Sequence, residues 1–187
     1  MEPPTLRDIY RAKKTIAPYM SRTPLHNSAG LSEMLEAEVY LKHEEYLPLG
    51  AFKGRGGINL LSSLTDEEKR QGVITASSGN HGQSIASACK LFGVRAIIGL
   101  PENANPNKVA AMRALGAEII FQGADFDAAS VHCEALAKEE GYRFVHPVND
   151  SVIIAGVATQ ALESIEDLPD VDVLMLPLGG GSGVCGA

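Results

Sequence analysis

Residues 73–100 read VITASSGNHGQSIASACKLFGVRAIIGL, and their pattern decides the fold. Val73-Ile-Thr-Ala76 is a short apolar strand, and small or polar residues follow it through Gln83. A helix rich in small residues is predicted from Gly82 to Phe92, and Arg95-Ala-Ile-Ile-Gly-Leu100 makes a second strand. Toward the C-terminus the alternation continues. A helix over Asn107 to Leu115 is ended by Gly116, and Glu118-Ile-Ile-Phe121 is a strand. A helix from Phe126 to Glu140 is ended by Gly141, and Arg143-Phe-Val-His146 leads to a helix from about Ser151 to Asp167. Last comes Val171-Asp-Val-Leu-Met-Leu176, read as a buried strand running into glycines.

Toward the N-terminus, Thr65 precedes Asp66, Glu67 and Glu68, an N-cap with acids in the first turn where the helix dipole favours them. A helical run covers about Phe52 to Leu64, Val39 to Lys42 reads as a short strand, and Thr5 caps a helix stopped by Pro18. Short apolar strands separated by helices of this size imply parallel sheets wound on both sides. The fold class is α/β.

Composition narrows the function. The chain has 187 residues, 45% hydrophobic and 21% charged, an ordinary globular balance. A formal charge of −7 argues against a nucleic-acid or anionic-membrane surface, because phosphate-rich partners need basic faces. Tryptophan is absent and aromatics are few, which disfavours a base-stacking platform. Cys89, Cys133 and Cys185 stand far apart, without the spacing of a zinc site or a disulfide framework, so no metal is expected and a reducing, cytoplasmic setting is. The charged N-terminus lacks a signal peptide's apolar stretch, and no apolar run approaches a membrane span.

Three segments carry chemistry. The first is Pro48-Leu-Gly-Ala-Phe-Lys-Gly-Arg-Gly-Gly57. Lys53, flanked by small residues at a helix start, has an open approach to a ligand; the positive helix end and Arg55 would lower its pKa. The same residues serve equally as a surface lysine in a glycine turn. The second is Ser77-Ser-Gly-Asn-His-Gly-Gln83, between a strand end and a helix start, where α/β sheets bind ligands. Amides at a helix start favour a carboxylate, and this run exceeds what a cap requires. The third is Gly179-Gly-Gly-Ser-Gly183, whose backbone can wrap a phosphate. Gly181, Gly183 and Gly186 nearly match a dinucleotide fingerprint, but that motif belongs to a first βα unit with an acid further on.

In this order the three segments resemble the fold-type II pyridoxal-phosphate enzymes of the tryptophan synthase beta-like superfamily, and in particular the threonine/serine dehydratase and serine racemase group. The likeness runs along nearly the whole chain. It includes Arg22-Thr-Pro-Leu25, the lysine segment, the SSGNHGQ loop, Lys108 to Glu118, His146-Pro147, and Val152-Ile-Ile-Ala-Gly156 with Thr159 and Glu163. The resemblance implies pyridoxal 5'-phosphate held by Lys53 as a Schiff base, with Phe52 packed beside the ring. Asn80 would bond the phenolic oxygen, and Gly179, Gly180, Gly181, Ser182 and Gly183 would cradle the phosphate. Ser77, Ser78, Gly79, Asn80 and His81 would receive the carboxylate of an amino-acid substrate, and Ser78 is where racemising relatives keep a second acid/base group.

The activity so implied is removal of ammonia from L-threonine or L-serine to give a 2-oxo acid. A serine racemase, a 3-hydroxyaspartate dehydratase and a non-catalytic remnant are the alternatives. A homodimer is a further implication. The sequence departs from the family pattern at Leu49-Gly50-Ala51, at Val157-Ala158 and at Ser182, which interrupts the glycine run. Two lobes are expected: a mobile small lobe over about 42–140, and a larger lobe from 1–41 and 141–187. The larger lobe is expected to be incomplete, because strand, glycine turn and helix start stop at Ala187, as in a portion of a longer protein. Lys42-His-Glu-Glu45 is read as solvated, since neighbours on a strand alternate faces and do not converge on a metal. His132 and Cys133 are read as mid-helix packing or surface. Asp125 and Asp127 are helix-start residues, and Asn149 is expected near the substrate region.

Overall fold

In the computed structural model, which describes residues 1–187, the capping signals act as their chemistry requires. Thr5 and Asp8 form a capping box on α1 (Leu6–Ile16), and Thr65 and Glu68 form another on α4 (Asp66–Gln71). Between them lie β1 (Leu25–Asn27), α2 (Ala29–Leu35), β2 (Tyr40–Lys42) and α3 (Lys53–Ser63). The remaining elements are β3 (Val73–Ala76), α5 (Asn80–Phe92), β4 (Ala96–Leu100), α6 (Pro106–Ala114), β5 (Glu118–Phe121), α7 (Phe126–Glu140), β6 (Arg143–Phe144), α8 (Ser151–Asp167) and α9 (Ser182–Gly186).

Four strands form one parallel sheet in the order β5-β4-β3-β6, and β1 pairs antiparallel with β2 in a separate ribbon. The sheet is apolar on both faces, as parallel sheets covered on both sides are. Val73, Ala96, Ile98 and Leu100 turn toward α3, α5 and α6, where they meet Leu60, Leu61, Ile85, Cys89 and Met112. Ile74, Ala76 and Ile97 turn the other way, onto Ala129, Cys133 and Ala137 of α7. Cys133 is thus a core residue. Because β3 lies inside the sheet, the turn after Ala76 opens at the centre of its C-terminal edge.

Outside the sheet, α8 lies against α3 and α1. The crossing is close: a Cβ at Gly156 would stand 2.7 Å from the Arg55 carbonyl oxygen and 2.7 Å from the Gly56 Cα. Ala12 and Ile16 of α1 fill the space beside Ile58 and Ala155.

The crossing is also where the charges are buried. Arg55, 1% exposed, donates to Glu163 on α8 at 2.7 and 2.9 Å and to Glu44 at 2.8 and 2.8 Å. Lys42 reaches Glu163 at 2.7 Å and the Thr23 carbonyl at 2.7 Å. Two cations and two carboxylates therefore balance where α3, α8 and β2 meet. Burial raises the pKa of Glu163, but the bonds from Arg55 and Lys42 outweigh it and hold the carboxyl below its ordinary range.

Several expectations need correction. Residues 171–178 form no strand, and Val173, Met175 and Leu178 are exposed. An apolar run favours a strand, but a ladder needs a partner backbone, and residues 171–178 pair with no strand of either sheet. Lys42 and Glu44 are not solvated; each ends on an opposite charge, because a 3₁₀ turn over Glu44–Tyr46 bends the chain back toward α3. Residues 25–35, for which no element was expected, hold β1 and α2. Helix α5 begins at Asn80 rather than Gly82, and the sheet takes in residues 143–144.

Candidate functional site

Lys53 is the first residue of α3, where Phe52 has already turned into helical geometry. Its backbone carbonyl accepts a bond of 2.6 Å from the Ser84 hydroxyl of α5, which ties the lysine to the neighbouring helix. Its side chain is half-buried; the Nζ donates to the Ser182 Oγ and stands 5.5 Å from the centre of the Phe52 ring. Burial holds the amine below the ordinary lysine range. Arg55 does not do this work, contrary to the expectation from sequence, because its guanidinium points away into the Glu44 and Glu163 carboxylates.

Facing Lys53 is the glycine loop. Gly181 adopts φ +97, a left-handed conformation that a side chain would strain. A Cβ at Gly180 would fall 2.1 Å from Cγ1 of Val148, so the loop backbone lies directly on that side chain. Ser182 is buried at the start of α9.

The third wall is the turn from β3 into α5. Ser77 is buried and its Oγ accepts from the Gly79 amide at 3.2 Å, which closes the turn. Ser78 and Asn80 are exposed. His81 is buried, with Nε2 3.1 Å from the Thr75 hydroxyl, and that hydroxyl donates to the Val145 carbonyl at 2.7 Å. Since a hydroxyl has one proton, His81 must be the donor to Thr75 and carries its hydrogen on Nε2. Burial first, then the charges of Lys53 and His146, push its pKa down to about 3, so the ring is neutral.

Between these walls lies a cavity of about 280 Å³ lined by Phe52, Lys53, Gly79, Asn80, His81, Lys108, Pro177 and the loop from Gly179 to Gly183. Segments from three distant parts of the sequence therefore meet on one volume. Ser77 and Ser78 belong to the same turn but do not line it. Lys108, on α6, was not singled out from sequence; nothing local marks a lysine in a helix as facing a site. The lining holds two lysines and no Asp or Glu, an environment made for an anion. A phosphate fits the loop, where the backbone is bare of side chains, and an aldehyde fits the partly buried amine.

Comparison with known proteins agrees with this geometry. An L-threonine ammonia-lyase from Thermotoga maritima is 43% identical over 97% of this chain and 45% of its own length. The catabolic L-threonine dehydratase TdcB of Staphylococcus aureus is 41% identical over 97% of this chain and 53% of its own. The chain spans about half the length of these curated relatives. Among solved structures, maize serine racemase superposes with a TM-score of 0.93 at 34% identity, covering 99% of this chain and 56% of that one. The family described as pyridoxal-phosphate dependent enzyme matches residues 16–187, and the chain belongs to it.

Proposed function

We propose that this chain is the lysine-bearing part of a pyridoxal-phosphate-dependent ammonia-lyase that converts L-threonine or L-serine to a 2-oxo acid and ammonia. The observation that carries the reading is the convergence of Lys53, the Gly179–Gly183 loop and Gly79, Asn80 and His81 on one cavity without carboxylates. Identities of 41 and 43% to threonine enzymes, against 34% to maize serine racemase, favour the lyase over the racemase.

Each residue then has a task. Phe52 flanks the ring, Asn80 bonds its phenolic oxygen, and the amides of Gly179 to Gly183 with the Ser182 hydroxyl hold the phosphate. Ser77, Ser78, Gly79, Asn80 and His81 receive the substrate carboxylate. His81 does so through its backbone amide, since its neutral ring is already donating to Thr75. Bound there, the cofactor supplies a conjugated ring that takes up the electron pair left when the α-proton departs. Lys53, with its amine free, would take that proton; its lowered pKa keeps a larger share of the amine neutral for the purpose. The leaving β-hydroxyl would take its proton from the resulting ammonium or from the cofactor phosphate. In the racemase alternative Ser78 would exchange a proton on the other face. A mobile small lobe over about 42–140 closing on the rest, a homodimer and a cytoplasmic location complete the reading. Buried, unpaired Cys89 and Cys133 suit that compartment.

The test is spectroscopic. Wild-type chain mixed with pyridoxal phosphate is expected to develop a visible band that Lys53→Ala lacks, and L-threonine is expected to perturb it. Identical spectra for the two proteins would sink the assignment of Lys53.

A further inference from the structure

Ser182 stands in a run of glycines, and its hydroxyl meets the amine of Lys53. The side chain is 1% exposed, and no other hydrogen bond reaches that hydroxyl. The titratable groups that face Lys53 are His81 from α5 and Lys108 from α6, one neutral and one a cation. The glycine loop and α9 bring none before Cys185, and on α8 Glu163 is committed to Arg55 and Lys42. The Lys53 amine therefore has no counter-charge, and Ser182 is that amine's one hydrogen-bond partner.

A hydroxyl carries one proton and two lone pairs. Facing an ammonium it accepts; facing a neutral amine it can turn its proton and donate. We infer that Ser182 is a positioning residue for Lys53, which holds the amine against the glycine loop in both protonation states and receives it there whenever it is released. The inference rests on the reading of Lys53 as the cofactor lysine. It differs from a use of the hydroxyl as a phosphate donor alone, which would leave Lys53 unaffected. The two bonds are also unequal. Ammonium to hydroxyl is charge-assisted and about twice as strong as a neutral pair, so Ser182 favours the charged amine and partly opposes burial. Removing the hydroxyl shifts the titration of Lys53 downward.

The first measurement needs no cofactor. Acetic anhydride reacts only with the neutral amine: nitrogen bonds to the carbonyl carbon, acetate leaves and the amine proton goes to solvent. Acetylation of Lys53 in the whole chain, followed against pH by peptide mass spectrometry, gives the midpoint directly. Ser182→Ala is expected to lower it by roughly half to one pH unit, and Ser182→Thr to restore it. An unchanged midpoint in Ser182→Ala, or in Ser182→Gly if the alanine variant does not fold, overturns the inference. A second measurement separates the phosphate. 4'-Deoxypyridoxine phosphate keeps the ring and phosphate but has no aldehyde. Ser182→Ala loses one phosphate bond and should bind it about 5-fold more weakly, yet form the lysine-dependent band with pyridoxal phosphate about 5- to 10-fold more slowly than that loss alone explains. Equal weakening toward both would assign the hydroxyl to the phosphate alone and overturn the proposal. Absence of the band in wild type strikes the cofactor reading itself, whereas the acetylation midpoint reports on the contact between Ser182 and Lys53.

Discussion

At His81 a single proton is allocated by its neighbours. The Thr75 hydroxyl gives its hydrogen to the Val145 carbonyl, so the imidazole must supply the other, and burial keeps the ring neutral. The unfolded chain binds a proton at this histidine below about pH 6.5, while the folded chain does so only near pH 3. Between those values the unfolded state holds more protons, so this group's contribution to stability is complete above the upper value and is lost as pH falls toward the lower. Urea unfolding between pH 6.5 and 4 is expected to show His81→Gln with a shallower acid slope than wild type, by roughly 1.4 kcal/mol per pH unit. Equal slopes would mean that the ring is not buried neutral. At this scale the segments around Lys53 and Asn80 stood out in the sequence, and they do line one cavity. The glycine turn at Lys53 nonetheless suited a surface lysine equally well until the three segments were taken together. The sequence was not legible at Lys108 or Thr75, whose roles arise only when α6 and β3 are placed beside the turn.

The elements show a similar division. Capping boxes at Thr5 and Thr65 lie within three residues of their partners, and the helices begin where those signals put them. The buried charges of α3 and α8 had no such signal, since Arg55 and Glu163 are 108 residues apart. Glu44 therefore read as solvated until the fold brought it to Arg55. Removing the Glu163 carboxylate leaves Arg55 with Glu44 alone and Lys42 with only the Thr23 carbonyl, and an uncompensated buried charge is costly. Glu163→Gln should lower the unfolding free energy by about 3 kcal/mol in a urea titration. Glu166→Gln, which removes an exposed partner of Lys13 and Arg22, should change it by less than about 1 kcal/mol. Similar losses in the two variants would contradict the distinction between buried and surface pairs.

For the whole molecule, periodicity in residues 73–144 sufficed to predict an α/β sheet, and the sheet is there. The same kind of signal misled at residues 171–176. Hydrophobic alternation reports what a segment can do with a neighbour, and here no neighbouring strand pairs with it. Val173, Met175 and Leu178 are 72%, 90% and 75% exposed, a strip of sequence with bare apolar side chains leading into the glycine loop. Such strips attract hydrophobic probes. Val173→Ser combined with Met175→Ser should reduce the fluorescence of a bound naphthalene sulfonate dye by roughly half without changing the helical circular dichroism. Undiminished fluorescence would place the dye elsewhere.

The separation between Arg55 and Glu163 also sets a clock. A chain made from its N-terminus delivers Lys53 long before the helix that anchors the next turn of α3. At roughly 5–20 residues per second, the partner for Arg55 arrives some 5–20 seconds later. Until then Arg55 has Glu44 but not Glu163, and Ser182 has not yet been added. The nascent lysine is an ordinary solvated ammonium, protonated at neutral pH and sluggish toward stray aldehydes. Its lowered pKa comes only with burial, when the segments that pack around it have been made.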